Sequence, residues 1–279
     1  MDVQLAQERL FTLEERMTLE EIKQRAMDRR LQAFGGGLGS IFQKPKAEEV
    51  VLLQSQRRIE PFWHISGRAR YVYDRTRHYA ITASAAEVRE VTVNGSTYPV
   101  ADTTHSFSVP VNEHCVEEAA REEYSDGVTG APVVDGASLI TGPRSEVADP
   151  ETLSAQGTVV VPPEHRASFV VRKLLTELMK PVQADSVTEE SLVLDFTDLY
   201  YRPIWAFEFH WTTRDRRGVV EIDGVTGQTR QAQSLAQGLK RMMTRDVLFD
   251  IGADTAGLLI PGGSIAVKVA RAAIDRTTG

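Results

Sequence analysis

From residue 203 to 211 the chain reads Pro-Ile-Trp-Ala-Phe-Glu-Phe-His-Trp. Trp205, Phe207, Phe209 and Trp211 fall at alternate positions, the period of a β-strand, so the four rings share one face. Ile204, Ala206, Glu208 and His210 share the other. A strand with so much aromatic surface has to be covered. Ahead of it, 164–179 carries Val171, Leu174, Leu175 and Leu178 on one side of an expected helix. Further strands are expected at 191–196 and 218–222, with a hairpin loop at 223–227 and a short return at 228–231. The unit predicted for 159–231 is one helix laid on an antiparallel sheet, its aromatic face buried.

The pattern elsewhere is less regular. Residues 47–112 read as short strands at 50–54, 62–65, 70–73, 79–82 and 88–93, with Ser66-Gly67 as a separator. Asn94-Gly95 between Val91-Thr-Val93 and Thr97-Tyr-Pro-Val100 predicts a two-residue hairpin, because both turn positions take positive φ. Phe107, Val109 and Val111 alternate, 113–124 reads as a short helix, and 125–158 reads as a long loop or linker. Residues 1–34 read as helical. Thr18 and Glu21 form a capping box, Leu19, Ile22 and Ala26 an apolar stripe, and Gly35-Gly36-Gly37 a stop. In the connector that follows, up to residue 46, Ile41 and Phe42 are candidate docking residues together with that stripe. Residues 232–279 read as a helical hairpin, with arms at 247–260 and 264–274 and small residues Gly252, Ala253, Ala256 and Gly257 for close packing.

These readings give five segments: 1–46, 47–124, 125–158, 159–231 and 232–279. They predict an α+β fold of antiparallel sheet modules, each covered by helix, with an N-terminal amphipathic helix and a C-terminal helical hairpin. An internal echo links Pro61-Phe62-Trp63 to Pro203-Ile204-Trp205, and two related sheet modules are one reading of it. The order helix, strand, aromatic strand, then Val219–Asp223 and Gly224-Val-Thr-Gly227 resembles the PepSY family over 164–231. In that family a closing strand runs into an Asp-x-x-Thr-Gly turn, matched here by Asp223, Thr226 and Gly227. The resemblance implies a noncatalytic interaction module and carries no active-site residues.

Composition narrows the classes. The chain is 42% apolar and 25% charged with a formal charge of −7, and that acidic excess argues against a nucleic-acid partner. Cys115 is the single cysteine, so no intrachain disulfide or multi-cysteine zinc site can form. No secretory signal or spanning apolar run is legible, and a cytosolic location is expected.

Chemistry has few footholds. Glu208 and His210, with Glu221 on the next strand, could bind a metal or exchange protons, or could equally be a solvated polar face. His114 and Cys115 are adjacent and diverge on either a helix or a strand, which is poor chelating geometry. The glycine runs lack the context of a phosphate loop. The aromatic strand followed by Arg214, Arg216 and Arg217 could stack bases, although core burial accounts for it better. The expected function is a noncatalytic interaction or assembly component that meets a protein partner or another copy of itself, with no cofactor. A metal-dependent hydrolase using Glu208, His210 and Glu221 is the alternative. A peripheral membrane component held by 247–276 is the second.

Overall fold

The computed structural model describes residues 2–34 and 45–230 and the backbone of Lys268–Arg271. The chain runs β1 (Asp2–Leu5), β2 (Glu8–Leu13), α1 (Leu19–Arg29), β3 (Val50–Thr82), β4 (Glu90–Val93), β5 (Ser96–Pro99), β6 (Ser106–Asp126), α2 (Gly136–Ile140), β7 (Arg144–Glu146), β8 (Val159–Val160), α3 (Ala167–Leu178), β9 (Ser186–Trp211), β10 (Arg216–Asp223), β11 (Thr229–Arg230) and β12 (Lys268–Arg271). All the described strands except the β4–β5 hairpin belong to one 10-stranded sheet.

Two very long strands form its spine. The 33 residues of β3 and the 26 of β9 run antiparallel from Val50↔Trp211 to Asp74↔Ser186. Outside β3 lie β6, antiparallel, and β8, parallel. Outside β9 lie β1 and β2, both parallel, and β10, antiparallel. Register slips at Leu52/Gln54, Ser66/Gly67 and Val72/Tyr73 mark bulges that let strands of this length bend and twist.

Both long helices cover the same sheet face. Leu199 and Tyr201 pack under α3 with Trp63 and Ile65, and the same alternation along β9 carries Phe207, Phe209 and Trp211 under α1 with Ile22 and Ala26. Phe209 is fully buried and Trp205 packs at the cluster's edge. The opposite face holds a third cluster of Phe11, Phe62 and Tyr200 covered by Leu139 of α2.

The two halves of the chain repeat. Asp126-Gly-Val-Thr-Gly130 and Asp223-Gly-Val-Thr-Gly227 are the same pentapeptide. Each folds identically. The aspartate Oδ1 accepts the N–H groups two and three residues on, at 2.9 and 2.8 Å in the first loop and 2.8 Å twice in the second. Gly130 and Gly227 close the loops at φ 71° and 70°, where a side chain would be strained. Gly127 N–H donates to Pro61 and Gly224 N–H to Pro203, both at 2.9 Å, so the Pro-x-Trp motifs belong to the same repeat. In the strand register Pro61 lies opposite Tyr201 and Pro203 opposite Ile59, which puts a local two-fold axis at the pair Glu60↔Arg202.

The axis also relates the strand–helix segments. β2 pairs with β9 at Phe11↔Tyr200 as β8 pairs with β3 at Val159↔Arg58. Arg16 N–H donates to Gly224 at 3.0 Å as Glu164 N–H donates to Gly127 at 2.9 Å. Ile22 and Ala26 are buried in α1 where Val170 and Leu174 are buried in α3. The halves are therefore β2–α1–β3–β6 and β8–α3–β9–β10, and each strand–helix segment rests on the hairpin of the other half.

Several expectations are corrected. The α+β fold of separate helix-covered sheet modules gives way to one dominantly β, mixed sheet, because β3 and β9 pair through both halves. The aromatic face lies under α1 and not under the helix at 164–179, which covers β3 and β6 instead. Residues 2–13 are strands, and the N-terminal helix is confined to Leu19–Arg29, where the Thr18 capping box does form. The short strands at 50–54, 62–65, 70–73 and 79–82 are one strand, and 113–124 is the heart of β6 and not a helix. The second arm of the expected C-terminal helical hairpin contains strand β12, paired in parallel with β1. The first arm, with Gly252, Ala253, Ala256 and Gly257, lies outside the described residues, as do Ile41 and Phe42. The Asn94-Gly95 hairpin is present, with φ 50° and 84°.

Candidate functional site

The internal symmetry separates what the fold requires from what has been added. Sixty-five residues separate Pro61 from Asp126, whereas 20 separate Pro203 from Asp223. The second hairpin closes through the Thr212–Asp215 turn. The first continues as a two-stranded arm, from Arg75↔Glu113 out to Thr82↔Ser106, tipped by β4 and β5. Tyr98 and Phe107 pack together where the tip meets the arm, and Tyr79 and Ile81 remain 48% and 44% exposed. Along β6, Tyr124 and Asp126 bond to the segment at 131–133, and Ser106 bridges to Ala101. Between these ends the outer edge of β6 has no neighbouring strand among the described residues.

Two polar clusters lie on the sheet face away from α1 and α3. In the first, Arg58, 5% exposed, sits 2.6 Å from Glu60 and 2.7 Å from Glu221, and Arg230 reaches Glu60 from the far side. Burial pushes the Glu221 carboxyl above the usual range, against the pull of Arg58. Beside it Arg202 bridges Asp223 and Asp135. This network straddles the two-fold axis and ties β3, β9, β10 and β11 together.

In the second cluster, His64 Nε2 donates to Glu122 at 2.8 Å while Nδ1 stands 3.9 Å from Asp198. Arg9 grips Asp198 with two bonds of 2.9 and 2.7 Å. Tyr124 stacks on the imidazole and donates to Glu122, whose carboxyl is held below its ordinary pKa first by that hydroxyl and then by His64. Burial raises the Tyr200 phenol to about 12. By the two-fold relation His64 matches Ala206, Asp198 matches Gln56 and Glu122 matches Val219. The second half folds without these groups, so the cluster is an elaboration of the first.

The alternative metal site is dispersed into ion pairs. Glu208, His210 and Glu221 do project from one face, but Glu208 accepts from Gln54 at 2.7 Å, His210 lies 2.9 Å from Asp215, and Glu221 is committed to Arg58. No group of three or more His, Cys, Asp or Glu side chains among the described residues is placed to hold a metal ion. Cys115 is half-buried against the α3 core cluster and His114 pairs with Asp74 at 2.6 Å. Of the expected docking stripe, Ile22 and Ala26 are fully buried within the chain and Leu19 is exposed. No described helix is long and apolar enough to cross a membrane.

Sequence reasoning missed the β6 edge, the arm and the His64 cluster. The signal for all three was the repeated Asp-Gly-Val-Thr-Gly string, which fixes where each hairpin ends and so how much has been inserted into the first. Comparison with protein-family models, curated proteins and solved structures finds no match to this chain.

Proposed function

We propose that the protein is a noncatalytic interaction component of the cytosol, and that the first hairpin is its contact element. The observation that supports this reading is the asymmetry between the halves. Hairpin two closes in a tight turn, while hairpin one extends beyond the helix-covered sheet and, among the described residues, leaves one side of β6 without a strand neighbour. Unpaired strand edges are the usual template for strand addition by another chain. The resemblance of 164–231 to PepSY modules points the same way.

The test replaces residues 76–112 with the four-residue turn Thr-Thr-Arg-Asp, copied from the second hairpin. From the symmetry this chain is expected to fold, with a circular dichroism spectrum and cooperative unfolding like the parent's. Proteins captured by the parent chain should be lost from the shortened one. Unchanged capture by a folded, shortened chain would remove the reading.

A further inference from the structure

We infer that the outer edge of β6 between Glu113 and Glu122 receives an extended segment of a cationic protein partner, with basic side chains at spacings fixed by the strand. The inference rests on the interaction reading above and adds the chemistry of what is bound.

The backbone supplies the first part. Among the described residues β6 pairs with β3 on one side and with no strand on the other across this stretch. Ten residues of strand span on the order of 33 Å, enough for a peptide to add several ladder bonds. The exposed side chains along it alternate with half-buried ones on the α3 side, so one face of the edge is open and the other only partly covered.

Charge supplies the second. β6 carries Glu113, Glu117, Glu118, Glu122, Glu123 and Asp126 against Arg121 alone, an excess of acid that accounts for most of the chain's formal charge of −7. Internal pairing cancels it only in part: Arg75 holds Glu113 at 2.6 Å and Lys173 holds Glu123 at 3.0 Å. Arg70 is shared between Glu118 and Glu189 at 3.1 and 3.2 Å, and the Glu118 and Glu122 side chains remain 68% and 55% exposed. A second copy of β6 laid on this edge would set carboxylates against carboxylates, which is destabilising, whereas a basic strand would meet opposite charge at each.

Geometry gives the spacing. Glu118 and Glu122 project on the face that carries Tyr124 and His64, and Glu113 and Glu117 on the face that carries α3. A strand alongside needs cations opposite residues 122, 118 and 117, that is, basic–x3–basic–basic for a strand antiparallel to β6 and the reverse order for a parallel one; Glu113 is already held by Arg75. Opposite Ala120 and Val116 it calls for apolar residues. Ala120 lines a depression of about 410 Å³ with Arg68, Arg70, Glu118, Ser191 and Val193, and Val116 is 60% exposed.

The probe is the peptide Lys-Thr-Val-Thr-Lys-Lys-Val-Thr-Thr-Thr, titrated into the full chain. Amide hydrogen exchange of 113–122 should slow, and Glu117→Lys/Glu118→Lys should weaken binding by about tenfold. The chain with the four-residue turn keeps this strip and should bind this short peptide as the parent does, because a natural partner needs the arm as well and the peptide does not. An isomeric peptide with the lysines at other spacings should bind less well. Equal binding of a glutamate-for-lysine peptide would overturn the charge assignment, as would self-association of the chain through β6. Absence of any exchange protection on β6 would overturn the inference even if arm replacement still abolishes capture of natural partners.

Discussion

The two identical loops allow one energetic question to be asked twice in the same molecule. Asp126 and Asp223 make the same pair of backbone bonds through Oδ1, but Asp223 is fully buried and its Oδ2 accepts from Arg202, whereas Asp126 is half-exposed and makes no ion pair among the described residues. Asp126→Ala removes two hydrogen bonds whose donors can find water, a loss of about 1–2 kcal/mol. Asp223→Ala leaves two donors without an acceptor in a dry site, at about 1–3 kcal/mol each, and deprives a largely buried guanidinium of one of its two carboxylates, at about 3–5 kcal/mol. These terms share one site and do not add, so we expect a total of about 4–6 kcal/mol, roughly 3 kcal/mol beyond Asp126→Ala. Asp223→Asn keeps the Oδ1 acceptor but loses the charge, and should fall between the two. Urea unfolding followed by tryptophan fluorescence and far-ultraviolet circular dichroism gives the comparison, provided the two signals coincide. If the two alanine variants agree within about 1 kcal/mol, the Arg202 ion pair does not stabilise the fold and the argument fails.

Other predictions follow from single features. Gly227→Ala should destabilise by about 2–3 kcal/mol, since its φ is positive and a Cβ would stand 2.5 Å from Met17 Sδ and Arg25, and Gly130→Ala should cost less because its nearest contact, His165, is at 3.0 Å. Phe209→Ala should cost about 3–5 kcal/mol by chemical denaturation, as its ring is fully buried beneath α1. Thr18→Ala should cost about 1 kcal/mol through loss of the capping box. The pH dependences of two carboxyls should have opposite signs. Glu122 is depressed, so its contribution is present above its unfolded pKa near 4.5 and lost as pH falls through the lower folded value; the stability gap between parent and Glu122→Gln should close on acidification. Glu221 is raised, so its contribution is present below 4.5 and lost as pH rises through the higher folded value; Glu221→Gln should gain on the parent across that rise, measured by thermal melts at stepped pH.

What could be read from the sequence was local. The Asn94-Gly95 turn, the Thr18 cap, the amphipathic run now seen as α3 and the aromatic alternation of β9 all depend on neighbours a few residues away. What could not be read depends on pairing across the chain. In β6, His-Cys-Val-Glu-Glu-Ala-Ala-Arg-Glu-Glu is built from good helix formers, yet register with the whole of Ile65–Asp74 overrides propensity. Ser66-Gly67 looks like a turn but is a bulge, where a Cβ on Gly67 would meet the Val193 carbonyl oxygen at 2.8 Å. Gln54–Arg58 lacks apolar alternation because Gln54, Ser55 and Gln56 are exposed on both sides of the strand and Arg58 is buried among carboxylates. In the candidate site, His64, Asp198 and Arg9 are far apart in sequence, so no spacing could have suggested them. The duplicated pentapeptide was the exception, legible by inspection and decisive for the topology.

The crossed arrangement of the halves also sets a schedule for biosynthesis. Arg9 finds Asp198 across 189 residues, so at about 5–20 residues per second the segment containing α1 emerges roughly 10–40 s before the hairpin it must cover. The first hairpin and α3, both complete by residue 178, can assemble during that interval, leaving the earliest-made helix to dock last.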